Sequence, residues 1–245
     1  MRFVVLTLFP GIVQAYAGEG ILARAVERGA VQVETVDIRD FTDDRHRTVD
    51  DVPFGGGAGM VMKPEPIARA IESVGPVDAR VLLTPSGRPF EQADAHRYAK
   101  LDSVLFLCGR YEGVDQRIRD DFIDDALSVG DYVLSGGELA ALVVLDATMR
   151  LLPGVLGNAD SLSSESYTDG LLEHPHYTRP AQWRGRPVPE VLLSGHHGRV
   201  GEWRRRESLR RTARLRPDLL QKASLTPAEE RLLLDLGSSP NREET

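Results

Sequence analysis

The chain has 245 residues, 41% of them hydrophobic and 27% charged, which suits one large domain or two modest ones with a sizeable core. No apolar run approaches the length of a bilayer span and no charged start precedes an apolar segment, so the sequence reads as a cytoplasmic globular protein without membrane association. The single cysteine, Cys108, excludes an intrachain disulfide and a cysteine-rich zinc site, and the net charge of −7 argues against a uniformly basic surface.

Phe3–Leu8 is a short apolar run that predicts a first strand, broken at Pro10 and Gly11. Ile21, Leu22, Ala25 and Val26 recur at helical spacing up to Gly29, and Val31–Ile38 predicts a second strand. This alternation points to an α/β fold with a mostly parallel sheet and helices on its faces. Arg39–Asp51 is polar and without period. It leads into the glycine-rich stretch Gly55–Met60, which is neither a dinucleotide fingerprint nor a phosphate-binding P-loop, because Met60 stands at the third glycine position and no Gly-Lys-Ser/Thr follows. Pro64 opens a helix with Ile67, Ala70 and Ile71 inward. Val81–Thr84 predicts a third strand, closed by the turn residues Pro85, Ser86 and Gly87, and Phe90–Tyr98 a helical crossover.

Two further apolar runs, Val104–Cys108 and Ala126–Val129, each end in a turn rich in glycine: Gly109–Gly113 and Gly130–Gly137. In open α/β sheets ligands bind beyond the carboxyl ends of the strands, and glycines there let backbone groups approach a ligand. Two such turns predict a backbone-lined pocket for a small polar molecule. Glu138–Leu152 is a strongly apolar helix with Leu139, Leu142, Val143 and Leu145 expected on its buried side, stopped by Pro153 and Gly154. The stretch 157–169, rich in Ser, Asp, Asn and Gly, reads as an exposed linker. Beyond it the pattern is all-helical: Val200–Leu215, Pro217–Lys222 and Thr226–Leu236, the last with a capping box of Thr226 and Glu229. The tail from Gly237 is expected to be disordered.

Charge is distributed unevenly. Between Arg179 and Lys222 there are 12 Lys/Arg against 4 Asp/Glu, and only Lys63, Lys100 and Lys222 in the whole chain are lysines. A basic, arginine-rich segment on an acidic chain fits contact with a polyanion, since guanidinium groups bind phosphates bidentately.

The words Cys108-Gly-Arg-Tyr-Glu-Gly113, Val129–Glu138 and His176-Tyr-Thr-Arg-Pro180, in this order, resemble the bacterial tRNA (guanine-N1)-methyltransferases of the SPOUT class. The likeness extends over nearly the whole chain: Thr7–Pro10, His46–Asp51, Pro53–Met60, Leu152–Gly157 and Leu192–Gly195 belong to it. It implies a SPOUT domain at 1–160 with a deep trefoil knot, an interdomain linker at 161–172, and a small all-helical tRNA-binding domain at 173–245. It further implies an obligate homodimer with the active site at the subunit interface and S-adenosyl-L-methionine as methyl donor. Magnesium enters only by resemblance, with no cage of ligands visible in the sequence.

Carried over position by position, the donor pocket involves Leu83, Thr84 and Pro85, then Gly109, Tyr111, Glu112 and Gly113. It continues through Val129, Gly130, Asp131, Tyr132, Val133 and Leu134 to Gly136 and Gly137. Methyl transfer needs mainly alignment of the reactants. Guanine N1, however, carries a proton at neutral pH, so the chemistry asks for a carboxylate near N1 and a cation near O6. The family places an aspartate before a serine in the linker as base. Here Glu165 precedes Ser166, and Asp169 is the alternative acid. Arg150 matches the arginine at O6. His46, Gly59, His176, Arg179, Arg204, Arg205 and Arg206 are the expected tRNA contacts, and no metal site is expected. The expected target is N1 of the guanosine immediately 3′ of the anticodon. The rivals are a SPOUT enzyme acting on ribose 2′-OH or rRNA, and a non-catalytic RNA-binding protein.

Overall fold

A computed structural model describes residues 1–156 and 165–238. The chain divides into two compact units, Met1–Ala159 and Asp160–Thr245.

The first unit is built on five parallel strands: β1 (Arg2–Thr7), β2 (Gln32–Asp37), β5 (Ala79–Pro89), β6 (Ser103–Cys108) and β7 (Asp125–Ser128), in the order β2-β1-β6-β5-β7. β1 and β6 are buried on both faces, which is why they read as unbroken apolar runs. Successive side chains alternate between two cores. Phe3, Val5, Val104, Phe106 and Cys108 face one side, and Val4, Leu6, Leu105 and Leu107 the other.

Helices α1 (Pro10–Ala17), α2 (Gly20–Glu27), α4 (Gln92–Tyr98) and α6 (Glu138–Met149) supply residues such as Val13, Leu22, Tyr98 and Leu145 to the first core. α3 (Pro64–Val74) and α5 (Gln116–Phe122) cover the second with Ile67, Ile71 and Ile118. Ile67, Ala70 and Ile71 face inward as the sequence predicts. A short antiparallel ribbon, β3 (Asp50–Asp51) with β4 (Val61–Met62), brackets the glycine-rich arm.

Two expectations change in this unit. Pro10 does more than break the strand, because it starts α1 in the first helical turn, where its missing N–H costs nothing. On α6 the buried face is Ala140, Ala141, Val144, Leu145, Thr148 and Met149 together with Leu142, whereas Leu139 and Val143 are 56% and 49% exposed. The helix is apolar nearly all round, so periodicity does not choose its face.

In the second unit, α7 (Glu190–Leu193), α8 (His197–Leu215), α9 (Pro217–Leu220) and α10 (Pro227–Ser238) account for most of the described structure. It is not all-helical: β8 (Gln182–Trp183) and β9 (Arg186–Pro187) form an antiparallel hairpin. Its two-residue turn places both Arg184 (φ 50°) and Gly185 (φ 80°) in the left-handed region, as tight hairpin turns require. The flanking prolines hide this strand pair from pattern reading.

Of the linker expected at 161–172, residues 161–164 lie outside the described residues. Residues 165–172 pack within the second unit: Leu171 is buried, and the Leu172 amide donates to Thr212 Oγ1 at 2.9 Å. The capping box forms as expected, with the Thr226 amide donating to Glu229 Oε2 at 2.7 Å and the Glu229 amide to Thr226 Oγ1 at 3.3 Å. Of the tail expected to be disordered, residues 239–245 lie outside the described residues.

Candidate active site

The carboxyl ends of β5, β6 and β7 open into a cavity of about 310 Å³. Its walls are the turn after the first half of β5 (Leu82–Ser86), the turn after β6 (Gly109–Val114), and the loop after β7 (Leu127–Gly130 and Tyr132–Gly137). All the donor-pocket residues expected from the sequence lie on this wall except Asp131, which is exposed and outside it. Arg110, Ser86, Gln116, Arg119, Ser128, Ser135 and Ala140 also line it and were not singled out. Arg110 stands inside the motif word itself, but nothing in the spacing separates a lining arginine from an exposed one.

Close backbone approach explains the glycines. The Gly137 amide donates to Gly109 O at 2.9 Å, and a Cβ on Gly137 would sit 2.8 Å from Cys108 Cα. The two glycine turns are therefore packed directly on each other. Arg110 fastens them to the rest of the unit. Its Nε and Nη2 reach the buried Glu138 at 3.2 and 2.9 Å, and its Nη1 donates to Ser135 O at 3.0 Å. The Glu138 carboxylate also accepts from Thr7 Oγ1 at 2.7 Å, and Arg110 lies over the Phe9 ring at 4.4 Å. Neighbouring Cys108 is fully buried, and burial pushes its thiol well above the usual range, which removes it as a nucleophile.

The glycine-rich arm is fastened to the same rim. The Glu112 amide donates to Met60 O and the Met62 amide to Gly113 O, each at 2.9 Å. The Glu112 side chain lies over Gly59, where an added Cβ would meet Oε1 at 2.2 Å. Gly59 is thus at the cavity rim, while His46 is exposed in the polar loop before the ribbon. The wall of β5 is held from behind. Arg88 and Arg97 bind Asp94 and Asp125 in a four-residue cluster, and Tyr98 donates to Asp125 at 2.8 Å. Arg88 and the neighbouring backbone hold the Asp94 carboxyl down at about 2 against the opposing effect of burial, and burial pushes the Tyr98 phenol well above its usual range. Arg150 is the C-cap of α6, its amide donating to Asp146 O.

The remaining expected residues belong to the second unit. Glu165 begins its described part, and its carbonyl accepts from the Thr168 amide. The Asp169 carboxylate pairs with Arg205, which also binds Glu229 at 2.6 Å. The three arginines expected together differ in their surroundings. Arg205 is engaged inside its own unit, whereas Arg204 and Arg206 are exposed and form no ion pair among the described residues. Helical spacing explains the difference, since neighbours on a helix point about 100° apart. His176 and Arg179 are exposed. His176 tilts against the buried His174 at 4.5 Å between ring centroids, and Trp203 lies edge-on to His174 at 6.4 Å. Among the described residues no group of three or more His, Cys, Asp or Glu is placed to hold a metal ion. No helix among them is long and apolar enough to cross a membrane.

Comparison with known proteins bears on what such a cavity serves. The profile of the family described as tRNA (Guanine-1)-methyltransferase TrmD matches residues 1–222. The chain belongs to this family. Among its relatives, the tRNA (guanine-N(1)-)-methyltransferase of Geobacter metallireducens is 54% identical over 239 residues, 96% of this chain and 98% of its own. The protein of that name from Chloroflexus aurantiacus is 54% identical over 98% of both chains. The one from Thermus thermophilus is 53% identical over 96% of this chain and 98% of its own. The family match therefore spans both units, cavity and basic helices alike.

Proposed function

We propose that this protein transfers a methyl group from S-adenosyl-L-methionine to N1 of the guanosine immediately 3′ of the tRNA anticodon, position 37. One observation carries the reading: in a chain of this family, both glycine turns and the β5 turn converge on one cavity. The cavity walls suit the donor. Val129, Val133 and Leu134 offer apolar surface to a flat base, and the glycine turns offer backbone groups to its edge. Glu112 offers an anion to a cationic ligand. The bound donor supplies a methyl group on a positively charged sulfur.

The residues of this chain then have two tasks besides alignment. A carboxylate takes the N1 proton of guanine so that a lone pair points at the methyl carbon, and a cation meets the charge that grows on O6. Glu165 takes the first role and Arg150 the second. Asp169 is the weaker candidate for base, because its carboxylate must first leave Arg205. The second unit, with His176, Arg179, Arg204 and Arg206 on its surface, binds tRNA together with His46 and Gly59. Arginines position the backbone, while the target base leaves its stack.

The same reading includes a trefoil knot in the β5–β7 region, a linker at 161–172, a tRNA-binding unit beyond it, and action in the cytoplasm. It also includes a homodimer. Support for the dimer comes from α6 and α1, which touch through Tyr16 and Asp146 at 2.8 Å. Together they leave Leu139, Val143, Phe9, Ile12 and Tyr16 exposed. An apolar face of that kind is what a second copy covers.

Labelled S-adenosyl-L-methionine with a tRNA bearing G at position 37, and the same tRNA with A there, tests the reading. Label on the first only, mapped to guanine N1, is the expected result. Label on both, or on a ribose hydroxyl, refutes the target; label on neither refutes the activity on this RNA.

A further inference from the structure

The cavity holds two arginines of different standing. Arg110 is neutralised by the buried Glu138 at 2.9 Å and gives a further hydrogen bond to the loop at Ser135 O. Arg119, on α5, lines the cavity from the other side. It is half-buried, and among the described residues its side-chain partner is neutral: Nη1 donates to Ser86 Oγ at 3.1 Å. Of the acids near it in sequence, Asp115 pairs with Arg117 at 2.8 Å, Asp120 accepts from the Gln116 amide group at 2.7 Å and Asp124 from the Arg80 amide at 2.8 Å, and among the described residues neither these nor Asp121 forms an ion pair with Arg119. Arg119 therefore brings to the cavity wall a guanidinium that forms no ion pair among the described residues.

Its support fixes where that charge points. Ser86 Oγ lies 3.1 Å from Thr84 Oγ1, and the Ser86 amide donates to the same Thr84 hydroxyl at 3.3 Å. The turn that begins the cavity wall thus anchors the guanidinium at its rim. Another part of the wall carries Glu112, the acid closest in kind to what a cationic ligand needs. A cavity with one acid and one guanidinium outside any ion pair among the described residues matches a zwitterion.

We infer that Arg119 binds the carboxylate of the donor's amino-acid end, with Ser86 holding the guanidinium in place. This rests on the donor reading above and deepens it. The donor carries a cationic sulfur, an ammonium and one carboxylate, and that carboxylate is the only anion a guanidinium can take from it. A guanidinium meets a carboxylate with two parallel hydrogen bonds, which also sets the ligand's direction in the pocket. The amino-acid end then lies between α5 and the β5 turn, and the base lies toward the glycine loop after β7.

Calorimetry with S-adenosylhomocysteine and its decarboxylated analogue, on the unaltered protein, Arg119→Ala and Arg119→Lys, tests this. The expected result is a loss of roughly tenfold in affinity for S-adenosylhomocysteine in Arg119→Ala, a smaller loss in Arg119→Lys, and no loss for the decarboxylated analogue in either. Equal losses for both ligands would mean a general defect of the pocket and overturn the inference. So would unchanged binding of both, and if tRNA affinity then fell instead, Arg119 would be a phosphate contact. If the unaltered protein bound neither ligand, the donor reading itself would fall and take this inference with it. Binding of both ligands, with the carboxylate preference intact in Arg119→Ala, would spare the donor reading and remove Arg119 alone.

Discussion

The two units are held together by different means. Every fully buried apolar side chain among the described residues belongs to the first unit, save Leu171 and Leu209. The second unit relies instead on polar joints: Arg205 between Asp169 and Glu229, the Thr212 hydroxyl under the Leu172 amide, a capping box and a buried histidine. A packed sheet core holds the glycine turns in register for a small ligand, where fractions of an ångström decide fit. A thin core with exposed guanidiniums suits a large polyanion, where charge sets affinity and shape adapts. On the function proposed above, the first unit binds the donor and the second serves the substrate and its proton.

The strongest way to break that assignment is Glu165→Gln. The amide keeps the shape but does not accept the N1 proton, so turnover should fall at least about a hundredfold. Donor affinity, measured by calorimetry, should stay within about twofold because the cavity belongs to the other unit. Near-normal turnover would move the proton acceptor to Asp169. A large loss of donor affinity would show that the division of labour is wrong.

Glycine substitutions sharpen the contrast from the other side. A Cβ on Gly137 meets the backbone at 2.8 Å (Cys108 Cα) and 3.0 Å (Gly109 N), and neither atom can yield without moving a glycine turn. Gly137→Ala should cost roughly 1–3 kcal/mol and weaken donor binding about tenfold or more. Gly201 in α8 has nothing within 4 Å of its added Cβ. Gly201→Ala should leave donor binding unchanged and raise stability by about 0.5–1 kcal/mol through helix propensity. Thermal melts and calorimetry read both, and a harmless Gly137→Ala would refute the tight packing of the two turns.

The basic surface gives a third test. Arg204→Ala with Arg206→Ala removes two exposed guanidiniums and leaves the Arg205 pairings intact. tRNA affinity should drop about tenfold at low salt, and the slope of log affinity against log salt should fall by about 1.5. Adding Arg205→Ala should lower the melting temperature as well, because that residue is a joint of its unit. An unchanged salt slope in the double variant would remove these arginines from the RNA surface.

These differences also explain what was legible beforehand. β1, β6 and α3 were readable because burial on both faces, or on one helical stripe, leaves an unambiguous pattern. The glycine turns were readable as a pocket because their density at strand ends has few other uses. α6 was misread in part because Leu139 and Val143 are as apolar as their buried neighbours, and periodicity is silent on a helix without a polar face. The β8–β9 hairpin was hidden by prolines and by an arginine at a left-handed position. Arg205 was grouped with its neighbours because sequence shows charge, whereas its pairing with Glu229, 24 residues on, exists only in the fold. Arg119 is of the same kind: its place on the cavity wall comes from the approach of α5 to the β5 turn, which no spacing encodes.

The smallest effect expected is also the one that separates the units most directly. Both tryptophans of the chain, Trp183 and Trp203, lie in the second unit, so indole emission reports that unit alone. Burial, with the nearby His176 and Arg204, pushes the His174 imidazole below its ordinary 6.5, opposed only by Glu173. The folded state therefore resists the proton that the unfolded state accepts, and stability falls as pH drops from 6.5 through the lower folded value. Arg205 holds the Glu229 carboxyl at about 2 against its usual 4.5, so the stability it contributes is full above 4.5 and is lost as pH falls from there toward 2. Solvent screening limits each step to about 1 kcal/mol. A thin core feels that loss first: tryptophan emission should change at a higher pH than the far-ultraviolet dichroism dominated by the first unit. His174→Gln should remove the earlier part of the emission change, and Glu229→Gln the later part. Coincident transitions by both probes, unaltered in either variant, would mean that the two units unfold as one and that their different construction has no consequence for stability.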